Sequence, residues 1–489
     1  MKTLLTSAFV LAHGPSGHGL LRDGAVLVED RRVAWVGPRE EAPVAEAHRI
    51  LGLGQSLLMP GLIDLDALAD IDHLILDSWC DDEHSARLRW SEEYLRSARH
   101  DVLTAEERST MRRYALAQLA LHGITSFMPI AAEVNTAWAE THDDLLDLAR
   151  TASKLGLRGF VGPSYRSGVH ATTADGGHVI AFDDEEGRRG FEEAVRFLDT
   201  VEELADPLLT GVLMPCRIET VREELLAETA RIAAERGVLV RVHALQGLSE
   251  RSEVLREHGT TPLELLERTG LLNDRLLIAH GVYLDIHDAV HGEDRGDLAT
   301  LAEAGASIIH CPLTNTRYAD HLVRLGRYLD AGVQICLGTD SFPPDLIRGI
   351  DAGIHVAQEQ YGEPANHFTA DYINAATLGG ARALHRPDLG RLESGATADL
   401  VAFALDDFRA GPVEDPIRSL LLSGTGRDCR FSMVDGRIVT QDGLIPGVDL
   451  EQLRRDGQAV FDKLRGAYTE RDHLAGSVDE LFPPVFPVH

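Results

Sequence analysis

The sequence predicts an α/β protein built on a (β/α)8 barrel with a smaller β domain beside it, and two patterns carry that expectation. Between 60 and about 386, short apolar runs alternate with charge-rich helical segments, as strands buried on both faces do when helices cover them. Before 60 the text changes to β-rich runs broken by turns. A chain of 489 residues is too long for one small core, and 44% hydrophobic residues is enough to bury a large one.

In chain order, residues 24–37 read as two β runs around a charged turn, a hairpin of the first β segment. The apolar runs that follow begin at Leu62 and continue at 123–130, 159–162, 211–214, 238–243, 276–280, 307–311 and 334–338. They make eight strands, most followed by a helix, which is the repeat of a (β/α)8 barrel. Residues at the C-terminal ends of such strands face the active site. Here they are Asp66, Glu133, Ser164-Tyr165-Arg166, Arg217, His243, His280, Asn315 and Asp340. Later, 430–434 and 437–440 flank Asp435-Gly436, a dipeptide suited to a tight hairpin turn. Residues 450–472 have helical periodicity, and the apolar, proline-broken end at 482–487 reads as an extended arm. Helix and arm are expected to pack on the barrel or on a second subunit, so a homodimer is one expectation.

Charge excludes some functions. With 47 Lys+Arg against 78 Asp+Glu, the net charge is -31, a field that opposes nucleic acid and anionic membranes. The five cysteines are far apart and form neither a CxxC pair nor a disulfide framework. No run approaches a membrane span and the start is too short in apolar residues for a signal peptide. The expectation is a cytoplasmic protein with a small-molecule partner.

Several stretches in order carry a family likeness: Pro60-Gly61-Leu62-Ile63-Asp64-Leu65-Asp66-Ala67-Leu68, Arg241-Val242-His243-Ala244-Leu245-Gln246, Ile278-Ala279-His280-Gly281, Cys311-Pro312-Leu313-Thr314-Asn315, Leu337-Gly338-Thr339-Asp340-Ser341, and the closing 388–401. Together they resemble the amidohydrolase superfamily, nearest its cytosine deaminase, chlorohydrolase and triazine hydrolase branch. The resemblance implies that the chain returns after the barrel to complete a small discontinuous β-sandwich. The expected boundaries are 1–59 and 387–446 for the sandwich, 60–386 for the barrel, and 447–489 for the C-terminal helix and arm.

It also implies a metal-assisted hydrolysis, in which a cation lowers the pKa of a bound water and a base takes its proton. His243, His280 and Asp340 match the family's site. The first strand departs from it, with Asp66 and Leu68 where two histidines are usual, and Gln246 stands where a glutamate is usual and cannot shuttle a proton. One divalent metal, zinc, iron or manganese, could still be assembled on Asp66, His243, His280 and Asp340. Asp340 and His280 are the expected catalytic pair, and Glu133, Glu219 or a displaced His73 are candidates for the lost functions. Tyr165, Arg166, Arg217, Gln246 and Asn315 are expected to bind substrate, arginine suiting carboxylates or planar heterocycles, with Trp79 and Trp90 as a flat wall. His310 and Cys311 read as packing residues. The implied reaction is hydrolysis of a C–N bond, by deamination or ring opening, in a small cyclic amide, amidine or nitrogen heterocycle. The alternatives are a metal-free lyase or isomerase using Asp340 and His280, or a non-catalytic small-molecule-binding descendant.

Overall fold

The computed structural model describes residues 1–71, 82–130, 135–361 and 368–486. Eight strands from both ends of the chain share one sheet. Lys2–Gly14, Gly17–Glu29 and Arg32–Pro38 form antiparallel hairpins. Ser56–Pro60 pairs with Lys2–Gly14 on one side and with Leu400–Ala404 on the other, and Cys429–Val434 and Arg437–Gln441 extend the sheet. The N- and C-terminal β segments are therefore one unit. Their side chains alternate between two cores, as the two-residue strand period requires. Leu58, Leu400 and Ala402 meet Val10, Val26 and Phe431 on one face, whereas Leu57, Met59, Val401 and Phe403 join the barrel's outer core. The last hairpin turns through Asp435 and Gly436 at φ 53° and 76°, as a two-residue turn demands. A Cβ on Gly436 would lie 1.7 Å from the Asp30 carbonyl oxygen, so only glycine fits there.

The barrel is formed by β1 (Leu62–Leu68), β2 (Ile124–Ile130), β3 (Arg158–Val161), β4 (Leu209–Gly211), β5 (Val240–Ala244), β6 (Leu276–His280), β7 (Ser307–His310) and β8 (Gln334–Leu337). All are parallel to their neighbours, in two runs, β1 to β4 and β5 to β8. At one seam Arg241 N bonds to Leu213 O at 3.0 Å and His243 N to Cys216 O at 3.2 Å; at the other Asp340 N bonds to Asp66 O at 2.8 Å. Ile63, Leu65, Met128, Phe160, Val212, Leu277 and Ile309 fill the interior, while alternate residues such as Val240, Val242, Ile278 and Ile308 face the helices. This interior is a packed floor beneath the C-terminal strand ends.

The helix Leu450–Arg471 lies along the helix Ala105–Leu121 of the same chain. A Cβ on Gly457 would come within 2.5 Å of the Tyr114 ring, which marks how closely the two approach, and Lys463 pairs with Glu107 at 2.7 Å. Phe482 then packs edge-on against Tyr468 at 5.5 Å. The helix and Phe482 thus pack on their own barrel, whereas the arm beyond Phe482 is exposed, with Val485 and Phe486 uncovered. Among the described residues no helix is long and apolar enough to cross a membrane.

Candidate active site

Asp66 owes its place to an irregularity in β1. Pairing with β2 shifts between Asp64 and Ala67, and such a slip re-aims a side chain. The carboxylate consequently points at β5, with His243 Nε2 3.6 Å from its Oδ1. A neighbouring constraint is Gly338 at the end of β8, where any Cβ would lie 2.5 Å from that of Asp66. Leu68 is fully buried among Ile71, Leu103, Met111, Ile130 and Phe342 and offers no ligand.

Both histidines have their tautomers set by a hydrogen bond on the other nitrogen. His243 Nδ1 donates to the Cys216 carbonyl at 2.7 Å, and His280 Nδ1 donates to Asn315 Oδ1 at 3.2 Å. Each Nε2 is therefore the nitrogen left facing the cluster, the arrangement usual for metal-binding imidazoles. The rings lie 5.6 Å apart. Asp340 Oδ2 is 3.8 Å from His280 Nε2. Leu245, His280 and Asp340 all have positive φ, 59°, 76° and 39°. Strain of that kind in non-glycine residues gathers at functional sites.

The electrostatics are dominated by burial. Burial would raise Asp66, but His243, Arg241 and His280 outweigh it and hold the carboxyl below its usual range. Burial also pushes His280 down to about 4, only partly offset by Asp66, so its ring is neutral at neutral pH. Cys311, buried and facing Asp66, is pushed well above the usual thiol range. It carries no thiolate and serves as packing, as its sequence suggested.

These donors fit a divalent cation. One ligand atom from each of Asp66, His243 and His280 lies within 4.8 Å of the others, all three buried, and among the described residues His280 Nε2 is buried with no hydrogen-bond partner. A carboxylate with two imidazoles, and Asp340 beside them, is a set suited to zinc, iron or manganese.

Around this cluster lies a polar rim. Arg217, hydrogen-bonded through its Nη1 to Gln246 Oε1, pairs through its backbone with His243. Leu245 N and Gln246 N donate to the two oxygens of buried Glu250 at 2.6 and 2.8 Å, and burial together with Glu219 pushes Glu250 up to about 8. Glu219 accepts from His170 Nε2 at 2.9 Å, and His170 contacts His178 at 2.8 Å. Both histidines belong to a hairpin, Gly168–Thr172 with His178–Phe182, inserted after β3.

Two expected substrate contacts are not brought to the cluster. Tyr165 is fully buried, with its hydroxyl 2.6 Å from Thr229 on an outer helix; Ser164 and Tyr165 alternate, so the tyrosine faces outward. Arg166 Nε donates to the Trp138 carbonyl at 2.8 Å, and Trp138 Nε1 returns a bond to Arg166 O. Trp90 is buried against Tyr94. His73, Trp79 and Glu133 lie outside the described residues. Sequence reasoning did not single out Arg241, although its place two residues before His243 puts both on the inner face of β5. His170 and His178 lie outside the eightfold pattern and left no signal.

The Amidohydrolase family model matches residues 57–439. A 5-methylthioadenosine/S-adenosylhomocysteine deaminase from Natronomonas pharaonis is 27% identical over 418 residues, covering 85% of this chain and 88% of the relative. An 8-oxoguanine deaminase from Pseudomonas aeruginosa is 26% identical, covering 90% and 94%. Among solved structures, an adenosine deaminase from Xanthomonas campestris with bound zinc superposes with a TM-score of 0.75 at 22% identity, covering 95% of this chain and 98% of its own.

Proposed function

The chain belongs to the amidohydrolase family, and on that premise we propose that it hydrolyses a C–N bond of a small nitrogen heterocycle at the cluster of Asp66, His243, His280 and Asp340. The observation that carries this reading is the convergence of His243 and His280 on the Asp66 carboxylate, one ligand atom of each residue lying within 4.8 Å of the others. The three would hold one zinc, iron or manganese ion together with Asp340. When bound, such an ion lowers the pKa of a water and polarises the carbon it attacks.

The chain's own residues do the rest. Asp340 takes one proton from the attacking water and passes it to the leaving amine, which departs as ammonia, while the hydroxyl proton left on the attacked carbon moves to the adjacent ring nitrogen as the carbonyl forms. Gln246, an amide held by Arg217, orients the heterocycle and moves no proton. Relatives named for deamination of adenosine derivatives and of 8-oxoguanine favour an exocyclic amine on a purine-like ring over ring opening.

The test combines equilibrium dialysis against zinc, manganese and ferrous ion with ammonia release from amino-purines, amino-pyrimidines and amino-triazines. About one ion per chain, absent in Asp66→Ala and His243→Ala, with ammonia formed from at least one class, is expected. Full turnover by metal-free protein would sink the reading.

A further inference from the structure

We propose that Arg241 is a resident counter-cation of the site, which shares the Asp66 carboxylate with any bound ion and so keeps that ion weakly held and exchangeable. The inference rests on the metal-site reading above and concerns what sets its affinity.

Arg241 is 2% exposed, and its Nη1 donates to Asp66 Oδ1 at 2.9 Å. Nη2 faces the Met214 sulfur at 3.5 Å, and Nε is buried without a partner among the described residues. A guanidinium confined in a barrel interior is costly unless a carboxylate compensates it. Asp66 is the partner the geometry gives it. The neighbouring carboxylate, Asp64, is instead engaged by Thr339 through its amide and hydroxyl at 2.9 and 2.6 Å.

Asp66 is also the only carboxylate in the three-residue cluster. Its Oδ1 lies between Arg241 Nη1 and His243 Nε2, and among the described residues its Oδ2 has the weak Cys311 thiol contact at 3.6 Å. A cation placed among these donors meets a carboxylate whose charge is already balanced. It also meets an unscreened positive charge a few ångströms away, where solvent is excluded and the repulsion is large. Both effects oppose binding. The same guanidinium holds Asp66 ionised and in place when no ion is there, so the site survives emptying.

Three proteins test this: the wild type, Arg241→Gln, which keeps an N–H donor without the charge, and Arg241→Lys, which keeps the charge. Zinc affinity is read by competition with a chromophoric chelator, with circular dichroism reporting the fold. Loss of the charge is expected to tighten binding roughly 10- to 100-fold in the glutamine variant, with the lysine variant close to wild type. Binding in the wild type and Arg241→Gln of equal strength, or weaker in the variant, overturns the inference while leaving the metal-site reading standing. No binding in any of the three overturns both. Should the glutamine variant fail to fold, the wild type decides alone: exchange of bound zinc into chelator within minutes is expected, and retention through prolonged dialysis overturns the proposal.

Discussion

His280 Nδ1 meets the side-chain oxygen of Asn315 at 3.2 Å, a bond between the end of β6 and the short helix Pro312–Arg317 after β7. It fixes which imidazole nitrogen can take a cation. Replacing Asn315 with leucine leaves a buried N–H without an acceptor, at a cost of roughly 1–3 kcal/mol, and should weaken zinc binding roughly 10- to 100-fold. Asn315→Asp retains an acceptor and should keep most of the affinity. Chelator competition on the two variants checks this, and equal loss in both would show that the bond does not set the tautomer.

A second pair ties the β sheet to the barrel. Arg158 on β3 meets Asp399 through Nε at 2.8 Å and Nη2 at 3.1 Å, both residues buried. Burial alone would lower Arg158, but Asp399 outweighs it and holds the guanidinium above its ordinary range. Removing Asp399 leaves the buried guanidinium with the more distant Asp435, 3.7 Å from Nη2, so Asp399→Ala should lose up to about 3–5 kcal/mol of stability in urea unfolding. Asp399 lies outside the active-site cluster, so turnover per folded molecule should be unchanged.

Acid should destabilise this fold through buried His310 and half-buried His18. Burial pushes His310 down to about 3 and His18 down to about 4, against an unfolded value near 6.5. Both groups have depressed folded pKa values, so the unfolded chain binds their protons first. Their contribution is complete above about pH 6.5 and is lost as pH falls through the folded values. Urea midpoints should therefore fall steadily between about pH 6.5 and pH 4. His310→Gln should show a shallower slope; an unchanged slope would assign acid lability to other groups.

Much of this structure is legible in the sequence because strand periodicity and barrel geometry are local rules applied eight times. The runs ending at His243, His280 and Asp340 are each bounded by polar residues, and a parallel barrel gathers such ends at one mouth. What escapes is set by non-local pairing. Arg166 looks like a ligand arginine until Trp138, twenty-eight residues earlier, is found against it. Tyr165 is lost to a one-residue alternation, since its neighbour Ser164 takes the opposite face. Asp66 needs an irregular register in β1 to aim at His243, and nothing in the sequence of β1 reveals the slip.

The remaining prediction separates chemistry from binding at the rim. Asp340 sits beside His280 at 3.8 Å, while Arg217 acts through Gln246 Oε1. If Asp340 moves the proton, Asp340→Asn should lower kcat roughly 100- to 10,000-fold. The asparagine keeps an oxygen donor, so part of the metal affinity should remain. Arg217→Met instead frees the Gln246 amide, whose role is to hold the ring. That variant should raise KM about tenfold with kcat little changed, the signature of lost uniform binding. A fall in kcat of similar size in both variants would mean that Arg217 acts in the transition state, and the division of labour between the two residues would have to be redrawn.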